Sequence, residues 1–551
     1  MSEFLLFYER PNPTTWVYLS SFLTFGLYFV FHRFWSVRNL DIVLLLLLAP
    51  GLLMVQEGRR RHLREMESGE IAIQDAYDVR RQFSDHASTL VSMYSSPQSS
   101  GLGTPPEATA LISQDSASDN VGGSPEDTEA SAPTASLAPD AAPPRIQDET
   151  RLPLRTEPGA LDERLESTTL HPEQIETDAE QSAKRLQRAG FIWLFLVELL
   201  ILIRLMIDPV MNRRPMLDPN LTVGGSYFIS ISLFIFMMVN VATSTPRARV
   251  WQGPELGPGY VLMHQLPTIT TRPVSSALGG ERAPTADELD LSKRSSTILA
   301  KVLAISAHLA IIVGLILVGN RHFGNLRSGV GCALLYLIVP YTAQYTGRVD
   351  HALPAALLLW AILSYRRPMI AGMFLGLAAG LVYYPLFLLP LWYSFYWRKG
   401  VRSFSIGVIV TLAMLVMILS ISGTDSLIDH LRRMFGLFAP TKEPRGIWGL
   451  GWDPRWRLPV IVAFGILSSL FAAWPSSKNL GTLIGCSAAV MVAVQFWHGY
   501  GGGLFIAWFL PLLLLTIFRP NLEDRVAVKV VKGRGLNRGS LSLPSSRLEL
   551  D

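Results

Sequence analysis

The sequence predicts an all-α fold, a polytopic helical bundle that crosses a membrane, and three observations carry the prediction. About 12–13 apolar stretches of near-spanning length follow one another along the 551 residues, set against a bilayer core of about 30 Å that takes about 20 apolar residues in a helix. The hydrophobic residues, 49% of the chain, are gathered into runs and do not recur with the period of a soluble core. One long polar stretch interrupts the series near its start. Backbone groups in lipid must be hydrogen-bonded within their own helix, so runs of this kind commit the chain to helices.

Stretches at 14–31 and 40–56 form a first pair within residues 1–56. The start, MSEFLLFYERPNP, lacks the basic opening of a secretory signal, so the first run is expected to stay as an anchor. Residues 57–189 open on Arg59, Arg60, Arg61 and Arg64 and continue rich in Ser, Pro, Asp and Glu. Such a composition cannot bury enough apolar area to offset its ordering entropy. It is expected to be a disordered acidic insert that can recruit other proteins. Segments at 190–210 and 226–243 follow, joined by a loop with two Asp-Pro steps, and then a polar loop at 244–296. The central bundle, 297–422, holds stretches at 297–319, 328–345, 352–364, 369–384, 385–397 and 403–422, some short enough to be partial or tilted crossings. In 423–456, Leu427, Ile428, Leu431, Met434 and Phe435 fall at the spacing of an interfacial amphipathic helix. Three last stretches, at 457–474, 479–497 and 502–518, precede a basic tail at 519–551 that is expected in the cytoplasm.

Composition excludes several classes. The net charge of +4 shows no long basic face for nucleic acid, and Cys332 and Cys486 both sit in apolar runs, where no disulfide framework can be argued. There is no phosphate-binding glycine loop before a Lys, no Gly-x-Ser-x-Gly elbow and no zinc-protease helix. That argues against an ATP-driven transporter or an anchored kinase. It leaves a secondary carrier open, since broken helices are typical there.

Orientation follows from Lys and Arg in short loops. Arg366, Arg367, Arg398, Lys399, Arg402, Lys478 and the tail fall on one side, which should be cytoplasmic; 347–351, 383–385, 423–456 and 497–503 then face the other way. The front half conflicts with this. Arg59 to Arg64 and Lys184, Arg185 and Arg188 argue that the insert is cytoplasmic too, yet counting spans from there puts residue 366 on the wrong side. Either one segment is re-entrant or the insert is translocated despite its flanks.

Polar residues in apolar surroundings mark where chemistry can reside. Glu198, Arg204 and Asp208 lie in the third stretch, with Arg204 and Asp208 four apart on one helix face. They serve either a substrate or ion site or an ion pair that ties helices together. Asp208 and Asp218 each precede a proline and bracket Arg213 and Arg214; Asn220 and Thr222 complete a glycosylation sequon. The turn YTAQYTGRVDH combines an anion binder, Arg348, with Asp350 and the titratable His351. Gly372, Gly376 and Gly380 line one helix face and suit close helix packing. Trp448, Trp452 and Trp456 alternate with Asp453, Arg455 and Arg457, as membrane anchors or as a sugar-stacking surface, and WHGYGGG adds His498 and Tyr500.

The order of a Pro-ended helix, a polar turn after TG, a helix, Arg-Arg-Pro, AGMFLGLAAGL, a VYYP break and a further helix, residues 328–402, resembles the later spans of GT-C type glycosyltransferases. Arg348 stands where those proteins commonly have Gln, and Val382, Tyr383 and Tyr384 replace a frequent Lys before the proline. The resemblance implies a polytopic enzyme that takes sugar from a polyprenyl-phosphate donor at the extracytoplasmic face, with room for a divalent metal. It implies catalytic roles for Asp208, Asp218 and Asp350, and substrate contacts from Arg348, His351, Tyr384, Trp452, Asp453, Arg455, His498 and Tyr500. RNLDIVLLLLLAPGLLM and DPVMNRRPMLDPNL look like stretches of uncharacterised planctomycete integral membrane proteins, which implies a bacterial cytoplasmic (inner) membrane. The alternative is a non-catalytic membrane protein, a secondary carrier or an assembly scaffold.

Overall fold

The computed structural model of the chain describes residues 13–31, 34–62, 64, 178–211, 217–244, 246–247, 259, 263, 266–269, 291–422, 446–476 and 478–520. The body of the acidic insert, most of the 244–296 loop, the predicted amphipathic helix of 423–445 and the tail from 521 lie outside the described residues. Within them, each of the apolar stretches carries a helix. In chain order these are α1 (Pro13–Tyr28), α2 (Val37–His62), α3 (Asp178–Ile207), α4 (Val223–Thr243), α5 (Leu291–Arg321) and α6 (Leu326–Ile338). The short α7 (Pro340–Gln344) leads to α8 (Val349–Leu363), α9 (Pro368–Leu381), α10 (Leu389–Tyr396) and α11 (Val401–Ser422). The last three are α12 (Arg457–Ala473), α13 (Leu480–Trp497) and α14 (Leu510–Phe518). Among the described residues six helices are long and apolar enough to cross a membrane: α2 to α5, α11 and α13. The chain is a polytopic integral membrane protein. Two two-residue strands, Pro246–Arg247 and Thr268–Ile269, pair antiparallel within the 244–296 loop.

Local chemistry sets the helix ends. Thr222 caps α4 by accepting from the Gly225 amide at 3.2 Å, and Asn325 caps α6 by accepting from Ser328 at 3.1 Å. Asn479 and Thr482 cap α13 reciprocally, at 2.8 and 2.9 Å. The predicted stretch 328–345 breaks at Val339, because Pro340 cannot continue the α6 ladder. The stretch 502–518 is helical only towards its end: Gly501 and Gly503 hold φ of +86° and +87°, a left-handed backbone that no α-helix contains. The predicted insert is helical at both rims, where α2 runs on to His62 and α3 begins at Asp178.

Small residues let the helices approach. A Cβ on Gly51 would meet Leu194 at 2.8 Å and one on Gly190 would meet the Val55 nitrogen at 2.7 Å, which seats α3 against α2 in antiparallel register. Gly372, Gly376 and Gly380 have the packing role their spacing predicts: a Cβ there would collide with the Phe404 carbonyl, Thr411 and Leu415 of α11.

These contacts settle which loops share an end of the bundle. Arg204 at the end of α3 meets Asp41 at the start of α2, and Asp208 meets Arg519 just past α14. His322 after α5 meets the Leu363 carbonyl, and Tyr396 at the end of α10 meets the Tyr365 carbonyl. One end, here the basic end, therefore gathers Arg38, Arg321, Arg327, Arg366, Arg367, Arg398 and Arg519. The insert's flanks lie at the other end, where Gly58 faces Gln187. The two described flanks of the insert and the basic short loops thus stand at opposite ends of the bundle, as counting every stretch as a crossing requires.

Interior helices fall short of the outer ones. α6 has 13 residues, about 20 Å of helix, against 31 residues and about 46 Å in α5. The turn after α7 consequently lies partway along α5, where His308 Nε2 donates to the Thr346 carbonyl at 3.0 Å while its Nδ1 accepts from the Tyr336 hydroxyl at 2.9 Å.

Candidate functional site

Charge in this bundle is sorted into two places. At the basic end Arg204 donates to both oxygens of Asp41, at 2.8 and 3.0 Å, and to Asp208 at 3.1 Å. Arg519 donates to the second oxygen of Asp208. All four side chains are almost wholly buried, and the alternation acid–base–acid–base sums to zero. Space is reserved for it: a Cβ on Gly481 would overlap the Arg519 guanidinium, and one on Gly485 would lie 3.2 Å from Asp208 Oδ2. The predicted Arg204–Asp208 pair is therefore present as one link of a helix-tying chain. Asp218 is at the same end, its carbonyl accepting from Arg38 at 2.6 Å. Glu198, two turns up α3, is wholly buried, and neither oxygen has a hydrogen-bond partner among the described residues.

At the opposite end the 345–351 turn meets the loop that follows α13. Arg348, the N-cap of α8, grips Asp350 through Nε at 2.9 Å and Nη2 at 2.6 Å. Asp350's carbonyl accepts from Trp508 Nε1 at 3.1 Å, which pins the two segments together across 158 residues of sequence. His351 accepts at Nδ1 from the Tyr341 hydroxyl and stacks on Tyr345 at 5.1 Å, leaving Nε2 3.9 Å from Asp350 Oδ2. Phe505 lies between the two imidazoles, its ring 4.7 Å from His351 and 4.6 Å from His498. Tyr384 closes the far side, 5.2 Å from His498 and 5.5 Å from Trp508. His498 is buried and accepts the Tyr500 amide at Nδ1, 3.1 Å away. Burial, with the Arg457 and His351 charges beside it, pushes its pKa down to about 3.

The structure thus brings together Asp350, Arg348, His351, Tyr384, His498 and Tyr500, and keeps Asp208 and Asp218 away from them. Between Trp508, bonded at Asp350, and Arg519, bonded at Asp208, stands α14, whose nine residues measure about 14 Å. The three predicted catalytic carboxylates do not share a site. Trp452, Asp453 and Arg455 lie beyond the start of α12 at the same end as Asp350, turned outward: Asp453 accepts the Arg455 amide at 2.9 Å in a local turn, and Trp452 packs on Trp448. Arg457, two residues on, is the arginine that points inward, donating through Nε to the Trp497 carbonyl at 2.7 Å. The sequence reading names it beside Arg455 in the Trp-rich run without counting it among the substrate contacts, although Arg457 opens an apolar helix whose neighbours carry it into the bundle. Asp41 and Arg519, which the sequence reading did not single out, are lone charges at the ends of apolar runs. Among the described residues no three His, Cys, Asp or Glu side chains gather as a metal ion would require.

No family model matches the chain, and neither a curated protein nor a solved structure matches it. The fold and the burial pattern define it as a multi-pass integral membrane protein with one ionic core at the basic end and one aromatic–imidazole cluster opposite.

Proposed function

We propose that this membrane protein takes a lipid-linked, phosphate-bearing sugar at its aromatic end and transfers the sugar, as GT-C type glycosyltransferases do. One observation carries the assignment: the turn of the resembling segment, Arg348 to His351, is joined through Trp508 and Phe505 to His498, at the end opposite the basic short loops. Lys and Arg bias assigns the basic loops to the cytoplasm, so the cluster would face the extracytoplasmic side. Asp350 is then the carboxylate for acid–base work. It would take the proton of an acceptor hydroxyl as that oxygen attacks the anomeric carbon, while the lipid phosphate leaves with the electrons of the broken C–O bond. Arg348 would hold Asp350 in place, and His351, with Nε2 3.9 Å from Oδ2, would help to orient the carboxylate. Asp208 and Asp218 have no part in this scheme.

One observation favours the non-catalytic alternative. Both oxygens of Asp350 are held by Arg348, as those of Asp208 are by Arg204 and Arg519, which suits a binding protein or scaffold better than a base. The two assignments part in one assay. The full chain in nanodiscs would be given a radiolabelled polyprenyl-phosphate hexose, and release of sugar to water or to a glycan acceptor followed. Transfer that falls at least 100-fold in Asp350→Asn supports the enzyme. Donor bound and never cleaved by the wild type ends the transferase assignment and leaves the binding protein.

A further inference from the structure

One face of α3 buries Phe191, Leu194, Val197, Glu198, Ile201 and Leu205, at the spacing of a helical core stripe. Glu198 thus takes a place where the pattern calls for an apolar residue. It lies near the middle of the apolar run 190–207, at about half the depth of a span. The side chain is wholly buried, and neither carboxyl oxygen has a hydrogen-bond partner among the described residues. Asp41, Asp208 and Asp350 are buried too, but arginines hold each of them: Arg204 binds Asp41 and Asp208, Arg519 binds Asp208, and Arg348 binds Asp350.

The titratable groups around Glu198 follow from what packs on α3. α2 lies against it with Gly51 at Leu194 and Val55 at Gly190, and from Ile42 to Gln56 that helix has no titratable residue. α13 lies against it with Phe496 at Phe195 and Gly485 at Asp208; its titratable residue is Cys486, beside Gly485. The Gly446–Gly449 turn, near Phe191, has none. The loop after α13 brings Gly503 against Phe195 and carries His498 and Tyr500. On α3 itself the nearest charge is Arg204, about 9 Å further along the axis, and it donates to Asp41 and Asp208.

A carboxylate with no cation beside it costs far more in an apolar interior than the neutral acid does, and a well-packed apolar side chain would cost less than either. A fold that keeps an acid at this depth has a use for it, and carrying a proton or an ion is the use that membrane proteins make of such residues. Among the described residues no donor set for a metal ion gathers here, which leaves the proton as the cation to bind. We infer that Glu198 is a proton-binding site at mid-depth in the bundle, which holds its proton in this conformation and exchanges it with water. The loaded form is the carboxylic acid; release leaves a carboxylate and passes one proton to water, with no other bond made or broken. The site stands apart from the aromatic end and does not depend on sugar transfer.

The test is infrared spectroscopy of the full chain in nanodiscs at neutral pH, because the C=O stretch of a protonated carboxyl absorbs apart from amides and carboxylates. Wild type grown on glutamate with heavy carbon in the side-chain carboxyl should show that band displaced by the label, which separates it from every aspartic acid. Glu198→Gln, which keeps the shape and loses the acid, should lose the band. Glu57→Gln, which removes a glutamate paired with Arg61, should keep it. In heavy water the band should shift as deuterium replaces the acidic hydrogen. Absence of a protonated glutamate band from the wild type overturns the inference, and that observation needs no variant to fold. A band that survives in correctly folded Glu198→Gln belongs to another glutamate and overturns it as well. A band that never shifts in heavy water marks a sealed acid, and proton exchange is then refuted.

Discussion

The two ends of the bundle handle buried polarity in opposite ways. At the basic end each of four charges is answered by another within 3.1 Å, and glycines at 481 and 485 make room for the chain of ion pairs. In the aromatic–imidazole cluster the Arg348–Asp350 pair is complete, while His498 and Trp497 keep N–H groups without acceptors among the described residues. Charges that balance one another in a closed chain are worth most as a fastener; a buried donor without an acceptor gives up stability where it stands and gains the capacity to bind.

The sharpest way to break the comparison is to unbalance the chain of ion pairs at the basic end. Asp208→Asn leaves Arg204 and Arg519 sharing one carboxylate fewer and should lower unfolding stability in detergent by about 3–5 kcal/mol, since stripping one partner strands a buried charge. A loss under 1 kcal/mol would show the network to be incidental. Next in size is packing: Gly376→Ala drives a methyl into Thr411 and the Val408 carbonyl, at an expected cost of about 1–3 kcal/mol by thermal unfolding, while Gly26→Ala, which meets nothing within 4 Å, serves as its control. The aromatic–imidazole cluster should be the acid-sensitive region. His498 titrates near 3 when folded and near 6.5 when unfolded, so the unfolded chain takes the proton first as pH falls below about 6.5. The wild type should lose about 1 kcal/mol by about pH 5.5, and His498→Phe should lose less. Identical pH profiles would remove His498 from the account. Smallest of all, Arg455→Gln on the outward face should shift stability by less than about 0.5 kcal/mol.

Much of this architecture was legible in the sequence, because lipid makes helix and apolar run nearly synonymous. The span positions, the role of Gly372, Gly376 and Gly380, and the oneness of 347–351 with 497–503 all follow from local pattern. What local pattern could not supply is pairing across the chain. Nothing near Asp208 announces that its second partner is Arg519, 311 residues away, so its two Asp-Pro steps read as a reactive loop when the first of them is the centre of a fastener. Arg455 and Arg457 differ by two positions in one basic run, and only the start of α12 decides that the second turns inward. The insert's sidedness was ambiguous for a different reason. Its flanking arginines belong to a long loop, whose charges bias insertion weakly.

The placement of α13 has a consequence for how the protein is made. It is buried on all sides, and α14, which follows it, is wholly buried too, whereas α4 and α11 turn much of their surface outward. Helices leave the ribosome in chain order, so the periphery is in the membrane before the piece it surrounds exists. The first twelve helices must wait as a loose, open collection, with Asp208 short of Arg519 and Asp350 short of Trp508, until the last segments arrive and both ends close together. A ribosome that stalled after α12 would leave neither half of a working protein: it would leave a ring of helices without a hub, and a target for membrane quality control.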